Sequence, residues 1–422
     1  MNTSTLPKSG GEKGDVVLES IREQRDIRVY DSYDVIIIGG GVAGMSAALA
    51  ARRNGMRTLL VEKAAFMGGL ATLGHVCLYL PLCDGNGRKV IGGISEELLH
   101  LSIQYGYNDL PEGWTRGILH HPDPKGRYKT WFNIPAFVLA ADELMENEGV
   151  DILYDTVFCE PVMDGKTVTG VIVENKSGRC AYKAKMVVDA SGDADVLYRA
   201  GAACFDRPTI LSYWCYETDF KHMRKALESG NIRDAVVVPM MGLLPKIEPE
   251  DMTGERGQMR EYYGTDGKEV SQYLQVSRKF ALERLKERMG PEYTQLSVAG
   301  MGAFRTTRRI TGCYELHPED MNKHFDDSIG CTGDWRKAGP VYEIPYRCLI
   351  DPKVQNVFAA GRIIASADDA WEVTRVIPTA AMTGEAAGTA AALAVRNGCT
   401  SGEVNVAELQ KILANNGVIL HI

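Results

Sequence analysis

Apolar and polar positions along this chain change period several times, and each change marks an element. Residues 34–38 read Asp-Val-Ile-Ile-Ile, a short apolar run with the β-branched composition of a strand buried on both faces. Small apolar residues then take helical spacing over 45–54, and Thr58 to Val61 reads as a second strand. Ile94, Leu98, Leu99 and Ile103 fall on one face of a predicted helix over 93–104. Asn133 reads as an N-cap, with Pro135 in the first turn and Phe137, Val138, Leu139 and Leu144 behind it. From Gly149 the period drops to two: strands are expected at 152–154, 157–162, 168–174, 179–184 and 186–189. Gly165 and Gly178 punctuate this stretch, which reads as one strand and then a β-meander returning to the main sheet. Residues 201–350 are mixed, with a strand-like run at 211–220, a helix near 277–289 and further strands from Leu296 onward. Another buried strand at 356–360 ends in Gly361-Arg362. An Ala/Gly-rich helix over 379–397 and an amphipathic helix over 406–415 close the chain.

The turn between the first strand and helix is Gly39-Gly40-Gly41-Val42-Ala43-Gly44. Strand, glycine turn and helix in that order make a nucleotide-binding β-α-β unit. Gly39 permits the tight turn, Gly41 lets the backbone approach a pyrophosphate, and Gly44 lets helix and strand pack closely. The helix N-terminus offers free N–H groups and a partial positive charge to phosphate. Glu62, ending the second strand, is placed to accept hydrogen bonds from a ribose diol. Nucleotide-facing features recur at 34–75, 186–193 and 356–388 with a long insert between them. A dinucleotide-binding domain interrupted by a substrate domain explains this order. The expected division is a mobile tail and lead-in over 1–30, a discontinuous domain over 31–200 and 351–422, and a substrate or cap domain over 201–350.

Composition narrows the class. The 422 residues are 45% hydrophobic, 8% aromatic and 24% charged, ordinary for a globular enzyme. A net charge of −8 without a basic cluster argues against a nucleic-acid partner. Residues 35–51 carry no charge, yet their glycines, alanines and serine fit the nucleotide motif better than a membrane span. The first fourteen residues are polar and lack the apolar core of a signal peptide, so a cytoplasmic protein is expected. Ten cysteines include no CxxC pair, so neither a zinc ribbon, an iron–sulfur cluster nor a disulfide framework is expected, and no metal site is assigned.

Further blocks join the glycine turn: Glu62-Lys63, Phe66 to Thr72, Val187 to Asp193, Arg305 with Arg308 to Gly312, Ile344 to Tyr346, Asn356 to Arg362, and Arg375 to Gly388. With these blocks in this order the chain resembles the FAD-dependent oxidoreductases of the glutathione-reductase-like superfamily. It resembles heterodisulfide-reductase A flavoproteins more distantly, without their iron–sulfur motifs. The resemblance implies an α/β fold: a Rossmann-like FAD-binding core of parallel sheet plus β-meander, with an interleaved α+β substrate domain. It implies FAD held by Gly39, Gly41, Val42, Ala43, Gly44, Glu62 and Lys63, and by the loop Gly68, Gly69, Leu70, Ala71 and Thr72. Val157 would meet the adenine through its backbone, with Ala190, Ser191 and Gly192 beside the adenosine half. Gly361 and Arg362 would flank the pyrophosphate and ribityl part. Arg375, Pro378, Thr379, Gly384 and Ala387 belong to the helix whose positive end would face the flavin N1–C2=O edge.

On the substrate side, Arg305 and Arg309 are four apart in an expected strand and would share a face as an anion clamp. Structural pairing with Glu319, Asp320 or Asp326 is the alternative. Arg375 is the better anion-binding candidate, and His75, just beyond the Gly68 loop, is a candidate base. Tyr342, Tyr346 and Trp371 read either as an aromatic wall or as core, and Tyr342 is counted with His75, Arg305 and Arg375 among the candidate catalytic residues. Asp368, Asp369 and Glu372 read as solvated charges or as the source of a general base. The expected function is hydride transfer between flavin N5 and a small polar substrate of acidic or sugar-like type, with an unidentified electron acceptor or donor. Neither nucleic acid nor membrane is expected as a partner, and a homo-oligomer is compatible with the sequence. Three alternatives stay open: a flavin electron-transfer subunit reduced by a partner protein, a nicotinamide-only dehydrogenase, and a synthase or lyase with little redox turnover.

Overall fold

Val35 to Ile38 are at most 3% exposed because their strand lies between two parallel neighbours. The computed structural model describes residues 20–107, 110, 129–241 and 260–422. Strand β1 (Arg28–Ile38) turns into α1 (Val42–Arg53) and returns as β2 (Thr58–Val61). Helices α2 (Gly93–Gln104) and α3 (Ile134–Glu148) follow, then β3 (Asp151–Leu153), and the meander β4 (Val157–Asp164), β5 (Thr167–Asn175) and β6 (Gly178–Asp189). Beyond it come α4 (Phe220–Ser229), α5 (Gly267–Glu287), the hairpin β7 (Ser328–Gly333) and β8 (Val341–Pro345), then β9 (Val357–Ala359). The chain ends in α6 (Asp368–Thr374), α7 (Ile377–Asn397) and α8 (Val406–Asn415).

The main sheet has the order β3-β2-β1-β6-β5-β4, with β9 also on β6. Pairs β1/β2, β2/β3, β1/β6 and β6/β9 are parallel, and β4/β5 and β5/β6 are antiparallel. The runs expected at 179–184 and 186–189 are one strand. Its first half carries β5 (Asn175↔Gly178 to Gly170↔Lys183) and its last residues carry β9 (Val187↔Val357 to Asp189↔Ala359). Helices α1 and α7 cross in backbone contact. A Cβ on Gly384 would fall 2.1 Å from the Ala43 carbonyl oxygen, and one on Gly388 would fall 2.2 Å from that of Ala47. Any larger residue at either point forces the helices apart and opens the core beneath them.

A smaller apolar core gathers Leu211, Tyr213, Cys215, Tyr262, Tyr273, Val276, Phe280 and Phe304, with Phe304 stacked on Tyr273 at 4.2 Å between ring centroids. Ile310, Leu316, Ile329, Tyr342 and Ile344 pack instead into the first core. Three sequence expectations change here. The run expected as one strand over 211–220 is broken into short pieces, and Phe220 opens a helix because the Asp219 carboxylate accepts the His222 N–H at 2.8 Å. The helix expected from 277 begins at Gly267, where Asp266 accepts from the N–H groups of Lys268 and Glu269, both at 2.9 Å. Arg305 lies outside any strand, since the strand there is only Arg308–Ile310, paired with Cys204–Asp206. The tail expected to be mobile lies mostly outside the described residues.

Candidate active site

At the glycine turn each position does different steric work. A Cβ on Gly39 (φ +101°) would meet the Ala190 carbonyl oxygen at 2.4 Å, and one on Gly44 would meet the Gly39 oxygen at 1.8 Å. A Cβ on Gly41 would meet nothing within 4 Å. The space beyond Gly41 is therefore open, and the loop Gly68–Thr72 stands at its edge: the Gly68 N–H donates to the Gly40 carbonyl at 2.8 Å. Leu70 and Ala71 continue that loop in a single tight turn, and the Thr72 hydroxyl closes it onto the Met67 carbonyl at 2.7 Å. Glu62 is 6% exposed, its carboxylate fixed by the N–H groups of Gly40 (2.6 Å) and Ala64 (2.8 Å). The Lys63 side chain projects outward. Val157, half exposed, follows Thr156, whose N–H donates to the Glu62 carbonyl at 3.1 Å. Buried Asp189 organises the turn through Ala190, Ser191 and Gly192, accepting from the Ser191 N–H and hydroxyl and from the N–H groups of Val196 and Leu197. Burial pushes its carboxyl pKa up to about 6, against those hydrogen bonds.

The helix ends separate two groups. Among the described helices of ten residues or more, side chains cap α3 (Asn133), α4 (Asp219), α5 (Asp266) and α8 (Asn405), and the Glu385 carboxylate accepts from Ile94 in the first turn of α2. Helices α1 and α7 alone have no side chain on their first N–H groups. Their positive ends are left for something else. An FAD molecule supplies a pyrophosphate for the first and the electron-rich N1–C2=O edge of its ring for the second, so these residues fit the cofactor that the resemblance implies.

Around α7, Thr379 is buried with its hydroxyl 2.7 Å from that of Thr332 on β7, and the Pro378 carbonyl accepts from Ser95 at 2.9 Å. Tyr342 is the cross-strand partner of Thr332, which puts it on the hairpin face turned toward this helix end. The Gly361 N–H donates to Thr383 at 2.9 Å. Arg362 is fully committed: its guanidinium donates to the carbonyls of Gly192 and Phe304 and to Asp193. Its side chain thus ties the two cores together. Gly384 and Ala387 are buried within the helix packing, where Gly384 meets α1.

The anion clamp comes together differently from the strand-face expectation. Arg309 is buried in a two-pronged pair with Glu315 (2.9 and 3.0 Å), a partner outside the three acids considered from sequence, and lies over Trp371. Arg305 instead meets Arg375: both guanidiniums lie 6.0 Å from the Trp335 ring. Arg375 pairs with Glu372, and Arg207 approaches the same carboxylate at 3.9 Å. Against its burial, the charges of Arg375, Arg305 and Arg207 hold the Glu372 carboxyl below its ordinary range. Burial lowers the Arg375 pKa, with Glu372 opposing and Arg305 adding to the fall. Two guanidiniums reach this one carboxylate and the charge of a third, Arg305, acts on it, while among the described residues Arg305 has no hydrogen bond or ion pair. Asp369 belongs elsewhere, paired with Arg336 at 2.9 Å, so the acidic cluster read from sequence is divided between two arginines. The aromatic wall is also divided. Tyr346 donates to the Ser401 carbonyl beside Phe358, and Trp371 is wholly buried with its N–H on the Arg362 carbonyl.

His75 is 6% exposed in a strained backbone conformation (φ +58°). Its Nε2 is 3.1 Å from the Ser297 hydroxyl, and its Nδ1 is buried without a hydrogen bond. Burial lowers the imidazole pKa, the Trp214 backbone opposing. The backbone of Gly300 joins Leu73 at 2.8 Å, so the segment from Ser297 to Arg305 runs from the histidine to the arginines. Trp335, Arg207 and Ser297 were not foreseen; none has a spacing signal, because each arrives from a separate segment.

Comparison with known proteins follows this geometry. A family model described as FAD dependent oxidoreductase matches residues 34–205 and 216–413. The chain is 28% identical over 168 residues to digeranylgeranylglycerophospholipid reductase of Picrophilus torridus, covering 38% of this chain and 39% of that protein. It is 34% identical over 80 residues to thioredoxin reductase of Ureaplasma parvum, covering 19% and 26% respectively. Each alignment thus spans well under half of the relative's own length. Among solved structures, p-nitrophenol 4-monooxygenase of Pseudomonas putida superposes with a TM-score of 0.47 at 12% identity, covering 92% of this chain and 86% of that one. None of the described helices is long and apolar enough to cross a membrane.

Proposed function

We propose, because this chain belongs to the FAD-dependent oxidoreductase family and is an FAD-dependent enzyme, that its substrate is a small organic acid. The carrying observation is the excess of guanidinium over carboxylate where Arg305, Arg375 and Arg207 meet around Glu372 and Trp335. FAD, when bound by Gly39–Gly44, Gly68–Thr72 and the N-terminus of α7, supplies N5 as acceptor or donor of a hydride. Everything else falls to the chain. Arg305 is uncommitted and gives the substrate carboxylate a charge-assisted hydrogen bond. Arg375, held by Glu372, contributes field rather than a free donor. His75 stays neutral in its buried setting, and its Nδ1, buried without a hydrogen-bond partner, is the atom assigned to take a proton from a substrate hydroxyl while Ser297 holds the far side of the ring. The Trp335 face and the Tyr216 ring beside His75 keep bulk water from the reacting carbon.

The test is an anaerobic titration of FAD-loaded protein with matched pairs of hydroxy acids and their methyl esters. Loss of the yellow absorbance with an acid but not with its ester supports the reading. Equal bleaching by both members of a pair, or bleaching by neutral compounds alone, overturns it.

A further inference from the structure

We propose that His324, Glu343 and His421 form a binding site for a divalent cation of the zinc class, separate from the flavin and substrate residues. One ligand atom from each lies within 4.8 Å of the other two. Glu343 is on β8 with a 9% exposed side chain, and both imidazoles turn Nδ1 toward the same carboxylate oxygen, His421 at 3.0 Å and His324 at 3.4 Å. Tetrahedral zinc with bonds of about 2.0–2.2 Å sets its ligand atoms about 3.3–3.5 Å apart. The observed separations are close enough that side-chain rotation suffices to admit the ion.

The three backbones are fixed independently of any ion. Ser328 and Cys331 on β7 donate to the Leu420 carbonyl at 2.7 and 3.2 Å, which places His421. Asn322 exchanges two hydrogen bonds with Val341, at 2.7 and 2.9 Å, which places the loop carrying His324. The Phe325 N–H orients the Glu343 carboxylate at 2.8 Å. Asp326 lies 3.3 Å from Nε2 of His324, so a carboxylate backs the ligand nitrogen's partner as in metal–histidine–carboxylate arrangements. Two nitrogens and one oxygen suit zinc and disfavour magnesium or calcium, which take all-oxygen sets. The rings stand 4.6 Å apart, both turned toward one carboxylate oxygen. Bound metal would clip the segment around Leu420 to the β7–β8 hairpin.

Full-length, tag-free, FAD-loaded protein is titrated calorimetrically with zinc sulfate, and bound metal is counted after dialysis. The result expected is one zinc per chain, a melting temperature rising with zinc, and no response to magnesium. H324A and H421A remove surface side chains that are 63% and 40% exposed, so both fold, and each should weaken zinc binding about tenfold or more. Failure of wild type to bind one zinc, or undiminished binding by the H324A/H421A double variant, which would place the zinc on other residues such as the cysteines, overturns the proposal.

Discussion

Replacing Gly41 by alanine separates the two things a glycine turn can be for. Gly41 has φ −65° and ψ 177°, an ordinary conformation for any residue, and the added methyl would meet no protein atom within 4 Å. Losing glycine's unfolded-state freedom stabilises by about 0.4–1 kcal/mol, and losing a tolerated N-cap glycine costs a similar amount. The apoprotein of G41A is therefore expected within about 1 kcal/mol of wild type. The methyl does occupy the space in front of the uncapped end of α1. If that space belongs to the pyrophosphate, FAD affinity falls by about tenfold or more, equivalent to about 1.4 kcal/mol. Gly44→Ala is the contrast: its methyl would lie 1.8 Å from the Gly39 carbonyl oxygen, so the turn must deform, at a cost of about 1–3 kcal/mol or more in the apoprotein. Flavin fluorescence quenching gives the affinity, and urea unfolding of apoprotein gives the stability. G41A binding FAD as tightly as wild type would refute the reasoning, because Gly41 is the one glycine of this turn whose Cβ direction is clear of protein atoms.

Arg305→Ala should raise KM for an acidic substrate by about tenfold or more and leave the melting temperature unchanged. Arg309→Ala, which strands Glu315 beside a buried site, should destabilise by about 3 kcal/mol; the opposite pattern in paired kinetic and thermal measurements would reverse their roles. Glu385 carries a pKa raised from 4.5 to about 7 by burial at the start of α2. Between those values the folded state keeps a proton that the unfolded state has lost. Stability should therefore fall as pH rises through that window and level off above it, by on the order of 3 kcal/mol at most. E385Q should flatten the profile in thermal melts, and an unchanged slope would exclude Glu385 as its origin. Because burial lowers the His75 pKa, the acid limb of kcat/KM for substrate oxidation should lie below the ordinary histidine range, and H75N should abolish that limb while FAD stays bound. An acid limb surviving in H75N assigns the base elsewhere.

What the sequence disclosed and what it hid divide along the range of the forces involved. The β1-α1-β2 unit, the Asn133 cap and the meander were legible because each is set by neighbours a few residues away. The same local logic misjudged β6: exposed Lys185, held by Asp34 at 2.7 Å, breaks the apolar pattern but not the strand. Family blocks identified FAD, yet they do not separate residues that face a cofactor from residues that bring its binding helices together. Gly384 carries the motif and meets Ala43 of α1. Arg362 carries it too, and spends its guanidinium joining Gly192 to Phe304. The arginine pair shows the limit most clearly. A four-residue spacing pointed to Arg305 with Arg309, but a three-residue strand gives that spacing no shared face, and Glu315 claims Arg309. Arg305 finds Arg375 instead, because the segment running from His75 across the small core ends against Trp335. Such meetings are decided by packing between cores. They leave no periodic trace, which is why the cofactor was readable from the chain while the groups that would choose a substrate needed the fold.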